Sequence, residues 1–104
     1  MAAYLADEFR EVGFKEEDIS IIPMGETVGM IVRYKGDGTA AKKTIILLGH
    51  MDVEEALDKD WDRPPFELTQ DDTYFYSRGT IDNKLGITML SSTFIRLQKR
   101  RVCA

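Results

Sequence analysis

The chain has 104 residues, 43% of them hydrophobic and 31% charged, which suits one small globular domain with one core and excludes wholesale disorder. Its net charge of −4 argues against a general nucleic-acid binder, because phosphate contacts need clustered Lys and Arg. The one basic cluster, Lys99-Arg100-Arg101, sits at the C-terminus and reads as a solvated helix end.

Residues 2 to 12 read as a short amphipathic helix, with Leu5, Phe9 and Val12 on one face. Gly13 is its stop, able to take the left-handed conformation, and Phe14 is expected to fold back on the last turn. The helix starts without a capping residue, which raises the expectation of sequence missing upstream. After a polar turn at Lys15 to Asp18, Ile19 to Ile22 reads as a strand stopped by Pro23, and Met24 to Val28 as a connection. Gly29 to Lys35 alternates, with Met30, Val32 and Tyr34 on one side, as a half-buried strand does. Gly36-Asp37-Gly38-Thr39 has hairpin-turn chemistry, so Lys43 to Gly49 is expected to pair back on that strand.

The run Ile45-Ile46-Leu47-Leu48 is apolar at consecutive positions, which predicts a strand covered on both faces in the middle of a sheet. A polar loop follows from Val53 to Pro65, with Trp61, Pro64, Pro65 and Phe66 as an aromatic clamp or a pocket wall. Phe66 to Thr69 and Thr73 to Tyr76 read as a second hairpin about Gln70-Asp71-Asp72. From about Asn83 to Lys99 the spacing turns helical, with Ile87, Leu90, Phe94 and Leu97 in a stripe widened by Met89 and Ile95. The expected fold class is α/β, a mixed sheet flanked by helices.

One cysteine, Cys103, excludes an internal disulfide and a thiolate zinc cluster. No run approaches the roughly 18 apolar residues of a membrane helix, and the N-terminus lacks the order of a signal peptide. No membrane partner is expected, and the cytoplasm is the default compartment.

The sole histidine, His50, ends the apolar run, with Asp52 two residues on. Loops at strand ends are the usual site position in open α/β sheets. An aspartate beside a histidine can take its spare ring N–H, fix the tautomer and leave the other nitrogen for a metal. A loop histidine bonded to a nearby carboxylate is the plainer alternative. Asp82, between a glycine turn and a helix, reads on its own as an N-cap. Lys84 reads as an exposed first-turn residue, and Glu54, Glu55, Asp58, Asp60 and Asp62 as solvated loop charges.

The combination is more specific than its parts. An apolar strand ending Gly49-His50-Met51-Asp52-Val53, a Trp61-x-x-Pro64-Pro65-Phe66 loop, and Arg78-Gly79-Thr80-x-Asp82-Asn83-Lys84 opening a helix resemble the co-catalytic zinc aminoacylase and carboxypeptidase family. That family includes succinyl-diaminopimelate desuccinylase and the glutamate carboxypeptidases. The resemblance runs from the first helix to about Gln98. It implies that His50 is a ligand of one zinc ion, that Asp82 bridges two, and that Asp52 orients the His50 ring. It also implies a cis peptide between Asp82 and Asn83. The implied chemistry is zinc-dependent hydrolysis of a peptide or N-acyl amide bond, with small peptides or N-acyl amino acids as substrates.

The resemblance also marks what the chain lacks. The family's general base lies in a Glu-Glu pair beyond the helix that follows the bridging aspartate, with further acidic ligands and a second histidine later. Glu54-Glu55 stands in the wrong place to be that pair. Glu54 falls at a commonly apolar position, and Ser77 where glycine is common. Residues 1–104 are therefore expected to be the N-terminal portion of a catalytic domain, without its lid or dimerisation domain. Zinc binding is expected to be weak or partial, and an exposed apolar face to favour self-association. The alternative is a non-catalytic fragment or interaction module that keeps the scaffold.

Overall fold

The computed structural model describes residues 1–39 and 43–102, apart from the Val102 side chain. Cys103 lies outside the described residues. The chain divides into two compact units, Met1–Leu47 with Ser91–Ala104, and Leu48–Leu90.

The first unit opens with helix α1 (Ala2–Glu11), which buries Ala2, Ala6 and Phe9. Its C-terminus closes as the sequence predicts. The Gly13 N–H donates to the Arg10 carbonyl at 2.9 Å and the Phe14 N–H to the Phe9 carbonyl at 3.1 Å. Gly13 has φ +91°, where a Cβ would be strained, so glycine permits both bonds. Phe14 folds back until its ring meets Phe9 edge-on, with centroids 5.2 Å apart.

Strands β1 (Ile19–Met24) and β2 (Thr27–Val32) form an antiparallel hairpin with Ile19 opposite Val32 and Met24 opposite Thr27. The two-residue turn is Gly25-Glu26, and Gly25 takes φ +66°, as the first position of a tight hairpin turn requires. Two expectations are corrected here. The segment from Met24 is a hairpin turn rather than a connection, and Pro23 lies inside the strand opposite Val28. A two-stranded ribbon has only edges, so proline's missing donor can face away from the partner.

Ala6, Phe9, Phe14 and Ile19 form the buried core of this unit, with Leu5, Val12, Met30, Val32, Tyr34, Phe94 and Ile95 packed on it. The expected face of β2 and part of the helical stripe thus meet α1. Helix α2 (Gly86–Val102) starts three residues later than expected and extends beyond Lys99. Within this unit the Gln98 amide donates to the Gly13 carbonyl at 3.1 Å, and Arg101 to the Lys35 carbonyl at 2.6 Å. No helix among the described residues is long and apolar enough to cross a membrane.

The second unit is built on loops. Strands β3 (Thr69–Gln70) and β4 (Phe75–Tyr76) make the second hairpin, shorter than the sequence suggests. The Asp71 carboxylate pins its turn, accepting the N–H groups of Thr73 and Tyr74 and the Tyr76 hydroxyl at 2.7–2.9 Å. Of the expected aromatic clamp only Pro65 is fully buried. Its carbonyl accepts the Arg78 N–H and, at 3.0 Å, the Ser77 hydroxyl. Phe66 is 62% exposed.

The chain is α/β as expected, but among the described residues the mixed sheet is not formed. The described strands make two separate two-stranded antiparallel sheets, and β2 pairs with β1 rather than with Lys43 to Gly49. Residues 44–48 hold no backbone hydrogen bond with another described residue. Ile45, Ile46, Leu47 and Leu48 are 81, 78, 53 and 88% exposed. The two-residue turn closes the β1–β2 pair between neighbouring segments. A run apolar on both faces needs neighbours on both, and the described residues supply no further strand.

Candidate functional site

The three residues singled out from sequence all lie in the second unit, and the structure brings them together. His50 Nε2 is 2.9 Å from Asp82 Oδ1, while Nδ1 is 3.1 Å from Asp52 Oδ1. Nδ1 also lies 3.3 Å from the Asp52 carbonyl. One aspartate therefore addresses each ring nitrogen. Partial burial disfavours the charged ring, but the Asp52 carbonyl and the charges of Asp82 and Asp52 outweigh it and raise the His50 pKa above 6.5.

Asp82 does not act as an N-cap. It accepts no backbone N–H among the described residues, and its carboxylate faces His50. The backbone explains this orientation. Asp82 and Asn83 have non-helical φ/ψ, so neither continues the helix that follows. The peptide bond between them is cis, as the family resemblance implies. Ahead of them, Gly79 has φ +87°, and a Cβ there would fall 2.3 Å from Val53 Cγ1. Behind them, a Cβ on Gly86 would fall 1.9 Å from Asn83 Oδ1, so α2 begins where Asn83 can fold over its first turn.

Two contributions were not legible from spacing. The Lys84 ammonium, expected to be solvated, donates to the Met51 carbonyl at 2.6 Å and so ties the Asp82 turn to the His50–Asp52 segment. Arg78, noted only as part of a motif, stands over Trp61 with its Cζ 5.1 Å from the ring centroid. A cavity of about 340 Å³ is lined by His50, Asp52, Glu54, Trp61, Arg78 and Asp82, among others. Glu54, one of the expected solvated charges, thus borders the site.

The donors fit zinc in kind. An imidazole nitrogen and a carboxylate oxygen converge, and a second carboxylate holds the ring from behind. They fall short in number, since a protein zinc site takes three or four ligands per ion. Among the described residues, no group of three or more His, Cys, Asp or Glu could hold a metal ion.

No family model matches the chain, and no solved structure does. Curated relatives do. A probable succinyl-diaminopimelate desuccinylase of Staphylococcus aureus is 38% identical over 98 residues, which cover 93% of this chain and 23% of that protein. The Staphylococcus epidermidis protein of the same description is 35% identical over 83 residues, 79% of this chain and 20% of its own length. An N-fatty-acyl-amino acid synthase/hydrolase of Bos taurus is 56% identical over 39 residues, 38% of this chain and 8% of that protein. The chain thus spans about a quarter of the length of the desuccinylases it matches, and it belongs to their aminoacylase and peptidase family.

Proposed function

We propose that this chain carries part of the active site of a zinc-dependent hydrolase that cleaves an N-acyl amide or peptide bond. The observation that carries the reading is the placement of His50 between two carboxylates, Asp52 at Nδ1 and Asp82 at Nε2. Asp52 fixes the ring with Nδ1 protonated and Nε2 directed outward. Asp82, facing Nε2, would be the residue that holds zinc together with His50. A bound zinc pair would polarise the scissile carbonyl and lower the pKa of a water nucleophile. The names of the relatives, a probable succinyl-diaminopimelate desuccinylase and an N-fatty-acyl-amino acid synthase/hydrolase, fit amide chemistry of this kind.

The shortage of donors favours a second reading for the polypeptide by itself. Among the described residues two donors converge and no group of three or more metal-ligating side chains forms, which does not complete a hydrolytic centre. On that reading the 104 residues bind zinc weakly and turn over nothing unaided.

A chimera separates the two. The matched segment of the Staphylococcus aureus desuccinylase would be replaced by residues of this chain. Zinc-dependent hydrolysis of an N-succinyl amino acid, lost with His50→Ala and with Asp82→Ala, is expected if the site is a working half. A folded, zinc-loaded chimera without hydrolysis would establish the non-catalytic reading.

A further inference from the structure

Arg78 is fixed at both ends of its backbone. Its N–H donates to the Pro65 carbonyl, and the next residue is the left-handed Gly79. Its side chain lines the same cavity as His50, Asp52 and Asp82, with the guanidinium over the Trp61 ring. The Nε group is buried and has no hydrogen-bond partner. Among the described residues no carboxylate pairs with Arg78. Arg10 and Arg63, by contrast, are each matched with carboxylates.

A guanidinium held over an aromatic face keeps its N–H donors for another partner. Buried polar groups rarely go without one, and the partner that matches this fork geometry best is a carboxylate. The cavity's own acids do not fill that role: Asp52 and Asp82 are engaged with His50, and Glu54 forms no ion pair with Arg78.

We propose that Arg78, held over Trp61, is the specificity-determining residue that anchors a carboxylate of an anionic N-acyl amino acid beside His50 and Asp82. The proposal rests on the hydrolase reading and adds to it the residue that holds the substrate's carboxylate. Because backbone and ring fix the guanidinium beforehand, the bound carboxylate has little ordering cost to offset.

Trp61 is the sole tryptophan, so its emission reports directly on the guanidinium above it. The intact chain would be titrated with N-acetylglycine and with N-acetylglycinamide, with and without zinc, while calorimetry measures zinc separately. A saturable emission change is expected with the carboxylate and not with the amide. Arg78→Gln should weaken the carboxylate at least tenfold with zinc affinity unchanged, Arg78→Lys should restore only part of it, and Glu67→Gln, an exposed charge outside the cavity, should leave it in place. Equal responses to acid and amide, an unaltered response in Arg78→Gln, or no response in either metal state would overturn the proposal. Absence of a zinc signal in calorimetry would count against the metal reading alone, because an Arg78-dependent carboxylate response in the zinc-free chain would still stand.

Discussion

His50 Nε2 and Asp82 Oδ1 approach to 2.9 Å although the two residues lie 32 positions apart in sequence. Three local devices produce that meeting: the non-helical turn at Asp82 and Asn83, the Lys84 bond to the Met51 carbonyl, and the left-handed Gly79. Each constrains what the site can do and can be perturbed separately.

The His50 ring should titrate above 6.5 because its cation is stabilised by both aspartates. A raised folded-state value means that this contribution to stability is fully present below the unfolded pKa and is lost as pH rises through the folded one. Proton NMR of the single histidine reads it without assignment ambiguity. Asp82→Asn and Asp52→Asn should each lower the value, and a wild-type value at or below 6.5 would show that the carboxylates do not face the ring in solution.

Gly79→Ala should destabilise the second unit by about 1–3 kcal/mol, since it forces a side chain into the left-handed region. The new Cβ also meets Val53. Urea unfolding followed by Trp61 emission measures the loss. An unchanged midpoint would mean that the Gly79 turn is not maintained.

Asp71 anchors the β3–β4 turn, and hydrogen bonds from the Tyr76 hydroxyl and the Thr73 and Tyr74 N–H groups lower its pKa to about 2. A depressed folded-state value gives stability that is present above the ordinary carboxylate value of about 3.9 and is lost as pH falls through about 2. Asp71→Asn should therefore melt earlier than wild type at neutral pH, with the gap narrowing as the medium is acidified towards about pH 2. A gap that does not vary with pH would contradict the role of charge.

Ile45, Ile46, Leu47 and Leu48 lie exposed, without backbone partners among the described residues, a combination that invites strand pairing or apolar association between copies. Sedimentation of the wild-type chain should show concentration-dependent association that Ile46→Lys reduces. A monodisperse wild-type monomer would overturn this expectation.

Much of the local structure was legible because it depends on neighbours in sequence. Gly13 and Phe14 close α1 as expected, and Met30 and Val32 mark the core-facing side of β2, which ends at Val32 rather than Lys35, with Tyr34 packed on the core beyond it. His50, Asp52 and Asp82 could be picked out because their motif couples them through the family resemblance, not because spacing reveals proximity. The fate of Ile45 to Leu48 was not legible. A doubly apolar run states what it needs, burial on both faces, but not whether the residues around it provide that. The Gly25-Glu26 turn escaped notice because Pro23 argues against a strand interior, and only a two-stranded ribbon relaxes that rule. Lys84 and Arg78 were missed for a common reason: long cationic side chains find partners that lie distant in sequence.

The most direct test of the central claim is zinc titration of the purified chain by calorimetry, paired with an N-acyl amino acid hydrolysis assay. Half a site predicts weak binding, in the micromolar to millimolar range, that disappears with His50→Ala and is accompanied by no turnover. Binding that survives His50→Ala, or tight binding with zinc-dependent hydrolysis by the chain alone, would contradict it.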